Sequence, residues 1–288
     1  MRKTSLLKKL IQDDEILVMP VAHDATAAKL IELTGFKAVS LGGYPTTATL
    51  LGKPDLSLAT LTEMCTHAKN IAGAVDIPLF ADGDTGHGGI INVMRTVSEF
   101  ERAGAAGMFI EDQLFPKRCG HMEGKEVIET SEMIAKIKAA VDARVDPDFV
   151  IAARTDALAV TGIEDAIERA NRYREAGADL IYVEAPTTKE EMIRINREVN
   201  APTLAVQIEG GKTPLLPTNE LQEIGYNAVA YPLSTLYAAA FAVRNVLEEL
   251  MHKGTTSGCM DKMIHFNEFN QLMELASLRE KESSYSKI

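Results

Sequence analysis

The sequence predicts a closed (β/α)8 barrel, an α/β fold, and three observations carry that expectation. Short apolar runs alternate with amphipathic stretches from near the start to about residue 250. Several amphipathic stretches end in a glycine followed by a small residue and the next apolar run. No low-complexity linker interrupts the series. The apolar runs that read as strands are 16–21, 38–41, 78–81, 108–111, 149–153, 180–184, 203–206 and 228–231. The third to seventh gaps between them hold helical patterns, for example 93–103, 131–143, 163–176, 189–198 and 218–224. Gly104, Gly177 and Gly225 follow such patterns, where a left-handed C-terminal cap belongs. Ile181-Tyr182-Val183 is apolar throughout, which suits a parallel sheet covered on both faces. A doubly wound open sheet is the structural alternative. We expect residues 1–250 to form the barrel and 251–288 a helical arm, because a polar break at 252–258 precedes one more amphipathic segment at 260–279. That segment either caps its own barrel or reaches a neighbouring subunit.

The bulk composition bounds the function. The 288 residues are 46% hydrophobic and 25% charged, as in a soluble globular protein with ample core. A formal charge of −11 argues against nucleic acid or an anionic membrane surface as the main partner. It leaves room for an anionic small molecule, since clustered Lys, Arg and metal can reverse the field inside one cleft. Cys65, Cys119 and Cys259 are too few and too scattered for a disulfide framework or a thiolate zinc site. The short charged N-terminus does not read as a signal peptide, and no apolar run has membrane length. A cytoplasmic protein is expected.

In a barrel, chemistry belongs at the carboxyl ends of the strands. Those positions carry His23-Asp24, Gly42-Gly43-Tyr44, Asp82-Gly83-Asp84, Glu111-Asp112, Arg154-Thr155-Asp156, Glu184, and then Gln207 with Glu209. Carboxylates at the ends of consecutive strands repel one another unless a cation sits among them. A hard divalent ion, most simply Mg2+, fits; Mn2+ would take the same ligands, and zinc lacks paired His or Cys. Asp82 and Asp84 are two apart, so both side chains can lean to one face at the strand's end. Arg154 closes an otherwise apolar strand, and its partner is either a structural carboxylate or a substrate carboxylate.

Lys117-Arg118-Cys119-Gly120-His121 places a thiol between cations and an imidazole, a setting for proton transfer or nucleophilic attack, because positive charge stabilises thiolate. Two glycine-rich stretches mislead. Glu209-Gly210-Gly211-Lys212-Thr213 ends like a phosphate-binding loop, but Val206 stands where its first glycine should be. Gly86-His87-Gly88-Gly89 lacks the dinucleotide spacing, so nucleotide binding is rejected and both read as loops over the mouth.

The ordered motifs Gly52-Lys53-Pro54-Asp55-Leu56, Asp82-Gly83-Asp84-Thr85-Gly86, Ile110-Glu111-Asp112-Gln113, Pro116–His121 and Ala153–Ala157 resemble the isocitrate lyase/phosphoenolpyruvate mutase superfamily, from about Val18 to Leu250. The resemblance implies a (β/α)8 barrel whose last helix is swapped between subunits, usually in a homotetramer. It implies Asp82, Asp84 and Glu111 in or beside a Mg2+ shell with Asp55 behind them. Arg154, with Gly42, Gly43 and Tyr44, would bind the carboxylate of an α-keto or α-hydroxy acid, and Glu184 would support the site. The 114–130 loop would close over substrate, with Gly120 against it. Lys117, Arg118 and His121 would tune the thiol and hold anionic product. The intact Lys-Arg-Cys-Gly-His pattern resembles the carbon–carbon lyase branch, in which Cys119 works as general acid. The implied reaction is cleavage of a substituted malate: 2,3-dimethylmalate to pyruvate and propionate, or 2-methylisocitrate to pyruvate and succinate. Alternatives are an oxaloacetate decarboxylase and an enzyme acting on phosphonopyruvate or phosphoenolpyruvate. Gly42 stands where serine is usual in methylisocitrate-type lyases. Val206, followed by Gln207, stands where asparagine usually contacts substrate, which implies a smaller or more apolar second half of the pocket.

Overall fold

In a computed structural model, which describes residues 1–286, eight parallel strands form a ring. They are β1 (Leu17–Pro20), β2 (Val39–Leu41), β3 (Leu79–Asp82), β4 (Gly107–Glu111), β5 (Val150–Thr155), β6 (Leu180–Val183), β7 (Leu204–Val206) and β8 (Ala228–Tyr231). Continuous ladders run β2-β3-β4-β5-β6 and β1-β8-β7. Two isolated parallel bridges, Val21 to Ser40 and Ile181 to Thr203, join these arcs and close the barrel.

Strands apolar along their whole length are explained by burial on both faces. Met19, Phe80, Phe109, Val150, Tyr182, Leu204 and Ala228 belong to one cluster, the barrel interior. Their neighbours Leu79, Met108, Ile110, Ile151 and Ile181 pack outward against Ile71, Val97, Phe100 and Ile137 of the surrounding helices. The interior cluster also takes Leu7 and Ile11 from a helix at Lys3–Ile11, which seals the end of the barrel away from the strand carboxyl ends. Gly107 is needed there: a Cβ would lie 2.6 Å from Val150 Cβ and 3.2 Å from Leu7 Cδ2.

The structure adds helices at Ala25–Leu33, Gly43–Leu51 and Leu61–Ala74 that the sequence pattern left unassigned. The last of these begins at a capping box in which Thr60 and Glu63 satisfy each other's backbone N–H groups. Residue 250 falls inside a helix, Ser234–Lys253, so the chain's two compact units divide earlier, between Thr235 and Leu236. The expected single segment at 260–279 is instead broken. A 3-10 turn at Ser257–Lys262 and helices Phe266–Leu272 and Leu275–Tyr285 occupy it, parted at Glu274, whose φ is 58°. Among the described residues no helix is long and apolar enough to cross a membrane.

Candidate active site

The strand carboxyl ends of the first unit frame a pocket whose lining includes Gly42, Gly43, Tyr44, Asp55, Asp82, Cys119, Gly120, Arg154, Glu184 and Val206. Its polar groups gather on the β2–β6 side. Asp82 ends β3 and accepts the backbone N–H groups of Gly43 at 2.8 Å and Asp84 at 2.9 Å. The Gly43 amide, expected to hold substrate, is therefore already engaged by Asp82. Asp84 lies beyond the strand with a φ of 50°, so a turn rather than period-two strand geometry brings it beside Asp82.

Lys117 does not reach the thiol. Its Nζ lies 2.7 Å from Asp55 Oδ2 and 2.5 Å from Asp84 Oδ1, deep among the carboxylates. Burial disfavours its charge, but Asp84, Glu111, Asp82 and Asp55 together outweigh that and keep it an ammonium. Arg118 turns to solvent, where it donates to Glu123 O. Burial pushes the carboxyls of Glu111 and Asp82 upward, with Arg154 and Lys117 pulling each back in part.

The donor set suits a hard cation. Glu111 is fully buried, yet neither of its carboxylate oxygens accepts a hydrogen bond from the described residues. Among the described residues Asp84 Oδ1 has no hydrogen-bond donor either, with the Lys117 ammonium ion-paired beside it. An all-oxygen set of Asp82, Asp84, Glu111 and Asp55, with orphaned oxygens on Glu111 and Asp84, fits Mg2+. Among the described residues no three such side chains converge as a tight direct cage, so water would complete any shell.

Arg154 resolves toward a structural carboxylate while still facing the pocket. Its Nε and Nη2 donate to Asp156 at 2.9 and 3.0 Å, Nη1 lies 3.3 Å from Glu111, and Nη2 lies 3.2 Å from Glu184. The guanidinium stacks 5.2 Å from the Tyr182 ring centroid, and the Tyr182 hydroxyl donates to Glu184. Asp156 also accepts from Lys125 at 2.8 Å, and these two cations hold its carboxyl below the usual range against burial. In the sequence Asp156 stands at a strand's carboxyl end without an assigned role, and Lys125 gives no signal at all.

The loop bearing Cys119 covers this floor. Gln113 grips Arg118 through Nε2–H to its carbonyl at 2.8 Å and Oε1 from its N–H at 3.0 Å. Ser57 donates to Lys117 O, Lys125 to Gly120 O, and the Lys212 N–H to His121 Nδ1 at 2.9 Å. A Cβ on Gly120 would overlap Glu184 Oε1 and Arg154 Nη2. His121 is pushed down by burial, and its Nε2 lies 3.9 Å from Glu184. The neighbouring cations do not stabilise a Cys119 thiolate as their places in the chain imply. Burial raises its thiol, Glu184 and Asp55 add to that, and the His121 N–H and Arg154 oppose it, so the thiol is held protonated.

Beyond this edge the wall is apolar: Val21, Leu204, Val206, Ile208, Ala230 and Leu233. Gln207, expected to touch substrate, is absent from the lining; its Oε1 accepts the Leu216 N–H at 2.8 Å. His87 is half-buried, with a buried, unpartnered Nε2 3.9 Å from Asp84.

The chain is similar to several known proteins. The chain is 48% identical over 286 residues to 2,3-dimethylmalate lyase of Eubacterium barkeri, covering 99% of both. It is 43% identical to 2-methylisocitrate lyase of Aeropyrum pernix, covering 98% of this chain and 91% of that one. Oxaloacetate acetylhydrolase bound to 3,3-difluorooxalacetate superposes with a TM-score of 0.93 at 35% identity, over 99% of this chain and 97% of the other. A crystal structure of 2,3-dimethylmalate lyase, described as a PEP mutase/isocitrate lyase superfamily member, gives 0.93 at 32%, over 99% and 96%. Phosphonopyruvate hydrolase in complex with oxalate and Mg2+ gives 0.91 at 30%, over 99% of each. The family profile described as phosphoenolpyruvate phosphomutase matches residues 7–251, and with the barrel and its carboxylate-lined mouth this shows that the chain belongs to that family.

Proposed function

We propose that this enzyme is a carbon–carbon lyase that cleaves a substituted malate, and that 2,3-dimethylmalate, giving pyruvate and propionate, fits the pocket better than 2-methylisocitrate. The observation that carries the choice is the division of the pocket into a charged edge and an apolar wall. Among the described residues every buried cation beside the pocket is already paired: Lys117 with Asp55 and Asp84, Lys125 with Asp156, Arg154 with Asp156, Glu111 and Glu184. A third carboxylate against Val206 and Ile208 would be desolvated without a counter-ion, whereas methyl groups there gain burial.

Asp82, Asp84 and Glu111, supported by Asp55, would hold Mg2+, which supplies Lewis-acid polarisation of the substrate's hydroxyl and carboxylate. Arg154, fixed by Asp156, orients that carboxylate across the Gly42–Tyr44 turn, and Glu184 keeps the guanidinium in plane. As the hydroxyl passes its proton to a carboxylate of the Asp82, Asp84 and Glu111 set, the C2–O bond becomes a carbonyl and the C2–C3 pair departs onto C3. Cys119 gives its thiol proton to that carbon and regains one before the next turnover. A thiol raised by burial is suited to this acid role, since it stays protonated until the carbanion forms. The closed loop excludes water, and Gly120 lets it seat against Glu184 and Arg154. We further propose that the helix Ser234–Lys253, which exposes Phe241, Val243, Leu247 and Leu250, is the swapped arm of a homotetramer. The test is a panel of 2-hydroxy and 2-keto dicarboxylates with Mg2+, with pyruvate read by a coupled lactate dehydrogenase. Pyruvate from 2,3-dimethylmalate is expected. Turnover of oxaloacetate alone would replace the lyase reading with decarboxylation.

A further inference from the structure

Asp112 follows the candidate metal ligand Glu111 but is fully buried, is not part of the pocket lining and has no part in the chemistry above. Its two oxygens are used differently. Oδ2 accepts from Thr155 Oγ1 at 2.7 Å, from the Tyr173 hydroxyl at 2.8 Å and from Arg169 Nη1 at 3.4 Å. Oδ1 accepts one bond, the backbone N–H of Asp156 at 2.9 Å. The backbone of Asp112 is also committed: its N–H donates to Arg154 O, and its carbonyl accepts from Ile128, where the 114–130 loop ends. A carboxylate buried among three outer donors on one oxygen is a rigid post, and the other oxygen sets where Asp156 begins. Asp156 then grips Arg154 through two bonds and Lys125 through one, and Lys125 reaches Gly120 O in the covering loop.

We propose that Asp112 is a positioning residue for substrate binding: through the Asp156 N–H it fixes the carboxylate that aims Arg154 at the pocket and ties Lys125 to the loop. This rests on the reading of Arg154 as the group that meets a substrate carboxylate. A role in folding alone would act equally through either oxygen, whereas this one acts through Oδ1.

The test measures oxalate binding to the Mg2+-loaded full chain by calorimetry, together with Tm, so that it is independent of turnover. Oxalate serves as the smallest dicarboxylate probe. Wild-type protein that fails to bind it would count against Arg154 and the carboxylate set as a dicarboxylate site, separately from any effect at Asp112. Asp112→Ala should weaken oxalate binding by about tenfold or more, since a bond within a buried charged network is lost. Asp112→Asn, which can keep an oxygen toward the Asp156 N–H, should recover most of that loss. Tyr173→Phe removes only an outer donor and should lower Tm while leaving the dissociation constant within about twofold. An unchanged dissociation constant in Asp112→Ala, or an equal loss in Tyr173→Phe, overturns the proposal. If Asp112→Ala does not fold, Asp156→Asn carries the test one link nearer the pocket, and unchanged oxalate binding there overturns it as well.

Discussion

Replacing Gly120 with alanine isolates the covering loop from the rest of the site. Gly120 is not among the glycines with positive φ, so its backbone accepts alanine without strain. The only obstacle is contact: the new methyl group would overlap Glu184 Oε1 and Arg154 Nη2. Glu184 is held by Tyr182, and Arg154 by Asp156, so neither can retreat without breaking those bonds. The cheaper response is for the loop to lift, which gives up the Lys125 bond to Gly120 O and the Lys212 N–H bond to His121. Two hydrogen bonds at roughly 0.5–1.5 kcal/mol each amount to about 1–3 kcal/mol. At about 1.4 kcal/mol per tenfold, the closed population and kcat/KM should fall about 5- to 150-fold. Because the barrel core is untouched, the loss is confined to these bonds, and Tm should fall by only about 2–5 °C. The assay is pyruvate release on the substrate identified by the panel, alongside a thermal melt. Wild-type kcat/KM in Gly120→Ala would refute the seated loop as the working state.

Other outcomes follow from single groups. Cys119→Ser should lower cleavage by about 10²- to 10⁴-fold while Mg2+ binding, read by calorimetry, stays unchanged; full activity would remove the thiol as the acid. Chelator should abolish turnover and Mg2+ restore it, and Asp82→Asn should raise the Mg2+ concentration needed; activity indifferent to chelator would end the metal assignment. Burial holds His121 below the ordinary histidine value of about 6.5, and its Nδ1 accepts the Lys212 N–H, so the closed loop needs the neutral ring. Its contribution is present above about pH 6.5 and is lost as pH falls from there through the depressed value. Intrinsic-rate-corrected hydrogen exchange at 119–125 should therefore accelerate relative to the strands between about pH 7.5 and about pH 5; a flat ratio would contradict it. Gly107→Ala should cost about 1–3 kcal/mol in denaturant unfolding, because the methyl group meets Val150 and Leu7; a neutral effect would mean the amino end of the barrel is loosely packed.

The barrel was legible because parallel strands buried on both faces leave unbroken apolar runs, such as Leu180–Val183, and their ends then stand out as polar. Asp82, Glu111 and Arg154 were visible on that ground alone. What proximity in the chain could not show was direction. Lys117 sits two residues from Cys119, yet its ammonium goes to Asp55, 62 residues away, so the thiol is governed by burial instead of by cations. The partner of Arg154 was left open between two carboxylates because Asp156 becomes its clamp only after Lys125 and the Asp112 post fix it. Gln207 was placed in the pocket from its position after β7, but its side chain turns back to Leu216. The segment 260–279 kept a helical composition through Glu274, where a backbone reversal with positive φ divides it.

The two isolated bridges that close the ring have a consequence for how the site can change. Asp82, Glu111 and Arg154 stand on one continuous five-strand ladder, while Val206 and Ala230 stand on the three-strand ladder. The first behaves as a mounting plate for the reaction, and the second as a detachable panel for the substrate's variable end. Single rungs couple the two, so a substitution that reshapes the panel sends little distortion across the seam. One chemical apparatus can thus be refitted to a different malate by changes confined to the shorter ladder.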